Sequence, residues 1–227
     1  TIKNSVNENE FPSLCYNAMI APLIPFAVKG VLWYQGESNA PRAQQYAESF
    51  PLLIQDWRTK WKTNYPFYYV QLASFKTGGD SNKGCPWAEL REAQTKTLEV
   101  PNTAMVVTTD LVKDATDIHP TNKQDVGKRL AANAFNKLYN IKSVCTGPTF
   151  KSIENIDNKT ILTFDNIGSG LISNNINNEV FGFEVADDKQ QFFAANAHIV
   201  DNKIVLTCDK VQNPVAIRFG WIGNALN

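Results

Sequence analysis

Residues 27–35 read AVKGVLWYQ and run directly into GESNAPRAQQYAESFPLLIQDWRTKW (36–61). The first string is an apolar, β-rich run that stops at Gly36, as a buried strand of a parallel sheet does. The second opens a helical pattern at Pro41, with Tyr46, Phe50, Leu53, Ile54 and Trp57 at helix spacing. Pro51 lies inside it and is expected to kink or split the helix, because it lacks the N–H that the ladder needs. Working outward, PFYYVQLASF (66–75) reads as a second strand, and WAELREAQTKTL (87–98) as a helix. TAMVVTTD (103–110) is a third strand with Asp110 at its tip. Thr121 to Tyr139 is a helix with Val126, Leu130, Ala134 and Leu138 on one side. Strand–helix alternation with buried strands implies an α/β fold, a mostly parallel sheet with helices on both faces. In such sheets the loops after the strand C-termini build the active site. Those loops carry Gln35–Asn39, the polar segment Phe75–Cys85, and Asp110–His119.

After Gly147-Pro148 the texture changes to short β-rich runs at 160–164, 180–186, 191–200, 203–208 and 214–222. Asn, Asp and Gly turns separate them, among them Ile156-Asp157-Asn158 and Asp201-Asn202, which is the pattern of a small antiparallel β-domain. The expected division is therefore 1–147 for the α/β domain and 148–227 for the β-rich one.

Lys+Arg and Asp+Glu both number 22, giving a formal net charge of zero and no basic excess for nucleic acid. No run of apolar residues is long enough to span a membrane. Cys15, Cys85, Cys145 and Cys208 are far apart and form no C-x-x-C pair, so free thiols are the simpler reading and metal-site spacing is absent. The chain opens on Thr1, without methionine or a signal peptide, and reads as a piece of a longer protein.

Two constellations carry candidate chemistry. Trp33-Tyr34-Gln35-Gly36-Glu37-Ser38-Asn39 sits at a strand-to-helix turn, where N–H groups and short polar side chains can stabilise an oxyanion. Gly36-Glu37-Ser38 is also half of a G-x-S-x-G elbow, but Ala40 replaces the second glycine, so Ser38 is a poor nucleophile candidate. The bland alternative is a turn in which Asn39 caps the next helix. The other constellation is Asp117-Ile118-His119-Pro120, in a loop after a strand, where a histidine beside a carboxylate can act as an oriented base. Here the bland alternative is a solvated surface histidine. His198 lies inside an alternating strand and reads as structural. Asp187-Asp188 reads as a solvated turn, and Arg91 and Glu92 as helix residues with many ion-pair partners.

In combination the strings are more specific. KGVLWYQGESNA (29–40), QQYAESFPLLIQDWR (44–58), PFYYVQLASF, WAELREAQ, TTDLVKDATDIHPTNKQDVGKRLA (108–131) and NPVAIRFGW (213–221) resemble the bacterial sialate O-acetylesterase family, in order. The resemblance implies a flavodoxin-like three-layer SGNH hydrolase sandwich with an added β-domain. It also implies removal of O-acetyl groups from sugars, 9-O-acetylated sialic acid being the named substrate, with no cofactor, in the periplasm or outside the cell. His119 then matches the catalytic histidine of D-I-H-P, with Asp117 the adjacent acid and Asp114 the other candidate. Gln35, Gly36, Glu37 and Asn39 form the oxyanion loop, and Ser38 is a structural residue of it. The family's nucleophilic serine lies in an upstream G-Q-S-N motif, and no G-Q-S-N occurs here. The first strand and nucleophile loop of the α/β domain are therefore expected outside this sequence, supplied by a missing segment or a further chain. The rival reading is an inactive remnant or a carbohydrate-binding module, favoured by the absent serine and by aromatics such as Trp221.

Overall fold

β2 (Phe67–Val70) is buried at every residue and lies between β1 (Val31–Trp33) and β3 (Thr103–Val106) in a parallel sheet. The structure, a computed structural model, describes residues 13–80 and 82–225. The start of the expected first domain, Ser81 of the polar loop and Asn227 lie outside the described residues. Successive β2 side chains point to opposite faces, as the pleat requires. Phe67 and Tyr69 join a core with α1 (Ala43–Trp61) and α2 (Pro86–Lys96), while Tyr68 and Val70 join Val126 and Leu130 of α3 (Lys123–Lys137). The result is the three-layer α/β arrangement that the alternation implied. The aromatic share of the α1 side is high: Phe50 stacks edge-on against Tyr69 at 5.1 Å and against Phe67 at 5.9 Å.

Several boundaries differ from the sequence reading. The helix 43–61 is not split at Pro51, since Tyr46, Phe50 and Ile54 on both sides of it are buried in one core. That burial outweighs the single ladder bond a proline removes. It is preceded by a 3₁₀ segment, Glu37–Arg42, so Pro41 lies before the α-helix rather than at its first residue. The strand expected over 27–35 is regular only at 31–33, and it is not buried on both faces. Leu32 is 62% exposed, because α3 packs over β2 and β3 and no described element covers β1 on that side. The second and third strands also stop early, at Val70 and Val106, where Gln71 and Thr108 turn to side-chain hydrogen bonding.

The β-rich part holds two antiparallel sheets. β4 (Thr149–Ile156), β5 (Lys159–Asp165), β9 (Lys203–Thr207) and β8 (Asn196–Val200) form one, in that order. β10 (Ala216–Phe219), β6 (Phe183–Ala186) and β7 (Phe192–Ala194) form the other. Asp157-Asn158 and Asp201-Asn202 have positive φ at both residues, the two-residue turns whose twist suits a hairpin. The run 191–200 divides into β7 and β8, which belong to different sheets. β4 escaped the pattern because every one of its residues is exposed, leaving no burial to impose alternation. An apolar cavity of about 550 Å³ lies between the sheets, lined by side chains such as Phe150, Leu162, Phe183 and Phe219. Among the described residues none of the four cysteines forms a disulfide. Among the described residues no helix is long and apolar enough to cross a membrane.

Arg129 of α3 clamps the end of β3. Its guanidinium donates to both oxygens of Asp110 at 2.7 and 2.6 Å and to the carbonyl of Val107. Those hydrogen bonds hold the Asp110 carboxyl below its usual 3.8, against the upward push of partial burial. A carboxyl with a lowered folded pKa stabilises the fold above its unfolded value and loses that contribution as pH falls through the folded one. Asp110→Asn should lower the urea midpoint at pH 7 by the equivalent of about 0.5–1 kcal/mol, the scale of a half-exposed pair. The gap from wild type should close as pH drops below 3.8; a gap that is constant with pH contradicts the assignment.

Candidate active site

Parallel strands bring their C-terminal ends to one edge, so the loops after β1, β2 and β3 meet there. The loop after β1 turns at Gly36, whose φ of +148° is unfavourable for a residue with a side chain. Space is tight as well: an added Cβ would sit 3.1 Å from Leu90 Cδ2 and 3.2 Å from Gln94 Nε2. Gly36 therefore lets the turn lie flat on α2.

The turn is braced by two side chains to which the sequence reading gave no role at the site. Gln94 is buried, and its Oε1 accepts from Leu72 N at 2.8 Å while its Nε2 donates to Gln35 O at 3.3 Å. Tyr46 O–H donates to Gln35 Oε1 at 3.2 Å, and burial pushes the phenol up to about 12, so it stays a donor at neutral pH. Gln35 Nε2 in turn donates to Asn39 Oδ1 at 2.7 Å. Gln35 Nε2 thus uses one of its two N–H groups inside the turn. The link fixes Asn39 with its amide nitrogen directed away from Gln35. Glu37 is half-buried at the start of the 3₁₀ segment, and Ser38 is exposed.

His119 stands in the loop after β3. Its side chain is 89% exposed, with Nδ1 3.7 Å from Asp117 Oδ1, too long for a hydrogen bond but within ion-pair reach. The same Asp117 oxygen accepts the backbone N–H of His119 at 2.7 Å, which shapes the loop locally. Asp114 Oδ1 takes both the N–H and the hydroxyl of Thr116, at 2.8 and 2.7 Å, which closes a local turn. The loop is anchored by Ile118, which packs on the α1–α2 core.

The two sequence constellations approach through their neighbours. Lys123, just past His119, lies over the Tyr34 ring at 4.6 Å, and Tyr34 precedes Gln35. No hydrogen bond joins His119 to Gln35, Gly36, Glu37 or Asn39 among the described residues. No group of three or more His, Cys, Asp or Glu among them could hold a metal.

Comparison with known proteins gives this geometry a context. The family of carbohydrate esterases described as sialic acid-specific acetylesterases matches residues 7–136. The chain belongs to that family. Sialate O-acetylesterase of Homo sapiens is 32% identical over 92% of this chain and 44% of its own. The Mus musculus enzyme of that name is 38% identical over 67% of this chain and 32% of its own. A carbohydrate acetylesterase from Xanthomonas citri superposes with a TM-score of 0.84 at 43% identity, over 96% of this chain and 51% of that one. This member of the family therefore spans about half the length of the relatives it matches, or less.

His198, by contrast, is a strand residue of β8 whose Nδ1 meets Asn177 O at 3.4 Å, in keeping with a structural role. Trp221 is not an exposed aromatic: it is half-buried against the α1–α2 core and beneath Arg218. Gly36→Ala should cost on the order of 1–3 kcal/mol of stability from backbone strain and the Leu90 contact, read as a lower urea midpoint. A midpoint equal to wild type would mean that the turn does not depend on glycine.

Proposed function

We propose that this chain carries the base and the oxyanion-binding turn of a serine-type carbohydrate O-acetylesterase. The observation that supports it most is the family membership of residues 7–136, which contain both loops at one edge of the sheet. In this reading the serine comes from sequence outside this chain. Among the described residues no strand pairs with the outer edge of β1 and Leu32 is exposed, which is consistent with a further element docking there.

His119 is the general base, with Asp117 on the Nδ1 side so that Nε2 faces the substrate. The serine oxygen bonds to the acetyl carbonyl as Nε2 takes its proton, and the sugar oxygen departs with that proton. Water then attacks the acetyl-enzyme, His119 takes a proton from it, and acetate leaves as the serine is restored. Asn39, oriented by Gln35, supplies an amide N–H to the tetrahedral oxyanion. Tyr46 and Gln94 act on that donor through Gln35. The substrate is an O-acetylated sugar, with acetylated sialic acid the leading case because the relatives are named for it.

In the full reading frame, hydrolysis of 4-nitrophenyl acetate should vanish in His119→Ala. Asn39→Ala should lose on the order of 100–1000-fold in kcat, the usual cost of one oxyanion donor. Ser38→Ala should keep most of the activity. Wild-type turnover in His119→Ala, or total loss in Ser38→Ala with an adduct mapped to Ser38, would overturn the assignment.

A further inference from the structure

Arg91 of α2 is a buried cation, 6% exposed, that the proposed chemistry does not use. The sequence suggested an ion-paired helix residue, yet no carboxylate among the described residues meets it. Instead Nη2 donates to the carbonyls of Gly220, at 2.8 Å, and Ile222, and Nη1 to that of Gly223 at 3.4 Å. All three belong to the turn that follows β10. A guanidinium presents several N–H groups in a fixed fork, and here the fork gathers one loop rather than one acid. Burying a cation without a counter-ion is costly, so these carbonyl dipoles are what hold the charge in place.

The turn that Arg91 gathers leads to the loop of His119. Gly223 O accepts from Phe75 N at 3.0 Å, and Lys76 N donates to Ala115 O at 2.6 Å. Ala115 is four residues before His119. The contact is tight enough to need glycine: a Cβ on Gly223 would sit 2.6 Å from Phe75 O and closer still to Thr77 Oγ1. The β-rich part presses on the same segment from its other end. Asn82 exchanges two hydrogen bonds with the backbone of Phe192, at 3.1 and 2.8 Å. Arg218 stacks between the Phe192 ring at 3.5 Å and the Trp221 ring at 4.4 Å.

We infer that Arg91 is a positioning residue: by collecting the carbonyls of Gly220, Ile222 and Gly223 it sets the turn after β10 against residues 75–77. That contact in turn holds the His119 loop. The β-rich part is then a component of the site's frame, not an appended sugar-binding module. The catalytic half of this inference rests on the reading of His119 as the base. The coupling itself does not.

The test uses Arg91→Met and Arg91→Lys in the full reading frame. Amide hydrogen exchange at Phe75, Lys76 and residues 113–119 should rise about tenfold or more in Arg91→Met, with α1 unchanged. The kcat for 4-nitrophenyl acetate should fall on the order of 10–100-fold at unchanged KM, as for a base displaced by a fraction of an ångström to an ångström. Arg91→Lys, with fewer donors in no fork, should fall between. Should Arg91→Met fail to fold, Gly223→Ala leaves Arg91 in place, pushes the turn off residues 75–77 and should give the same local signature. Exchange unchanged at those amides, or raised equally in every element, overturns the coupling. Raised local exchange with kcat unchanged, in a protein whose His119→Ala variant is dead, overturns the positioning role. Raised local exchange in a protein whose His119→Ala variant is fully active supports the coupling and removes only the base.

Discussion

The side chain of Gln94 is almost wholly shut off from water, so each of its polar atoms must find a partner inside the protein or cost free energy. It finds them in the backbone of two segments: Val70 O and Leu72 N at the end of β2, and Gln35 O in the turn after β1. One amide on α2 therefore fixes how the turn after β1 lies relative to the end of β2. Gly36 makes the approach close enough for this, and Tyr46 closes the turn from α1. Gln71, also buried, repeats the device one residue earlier by donating to Arg91 O and Thr95 Oγ1. The edge of the sheet is thus a buried polar network with few free choices, and networks of this kind specify a single geometry when they are satisfied.

What that geometry presents is uneven. The turn 35–39 is held from three directions, whereas His119 projects into solvent on a loop shaped by Asp117 and anchored by Ile118. In the proposed reading Asp117 orients this exposed imidazole, and catalytic hydrogen bonds of this kind often tighten only in the complex with substrate.

The α/β class was legible in the sequence because β2, α1 and α2 bury continuous apolar faces, and burial leaves periodicity behind. Strand ends were less legible. Gln71 and Thr108 continue apolar-looking runs but serve side-chain bonding, a choice made by partners far along the chain. β4 was invisible because nothing covers it, and the run 191–200 concealed a change of sheet at Ala195. At the candidate site residue type and loop position left Gln35, Gly36, Glu37, Asn39, Asp117 and His119 beside bland alternatives, and the family resemblance gave them their roles. The sequence did not distinguish Gln94 and Tyr46 from core, since a polar group aimed at a backbone carbonyl 11 or 59 residues away has no local signal. Arg91 was misjudged for the same reason: its partners lie some 130 residues downstream.

The central claim is that the base and oxyanion turn lie in this chain and the nucleophile does not. Labelling the active, full-length protein with a fluorophosphonate and mapping the adduct by mass spectrometry tests it most directly. The account predicts one modified serine outside residues 1–227, with the modification lost when His119 is replaced. An adduct on Ser38, or on any other serine of this chain, would contradict it.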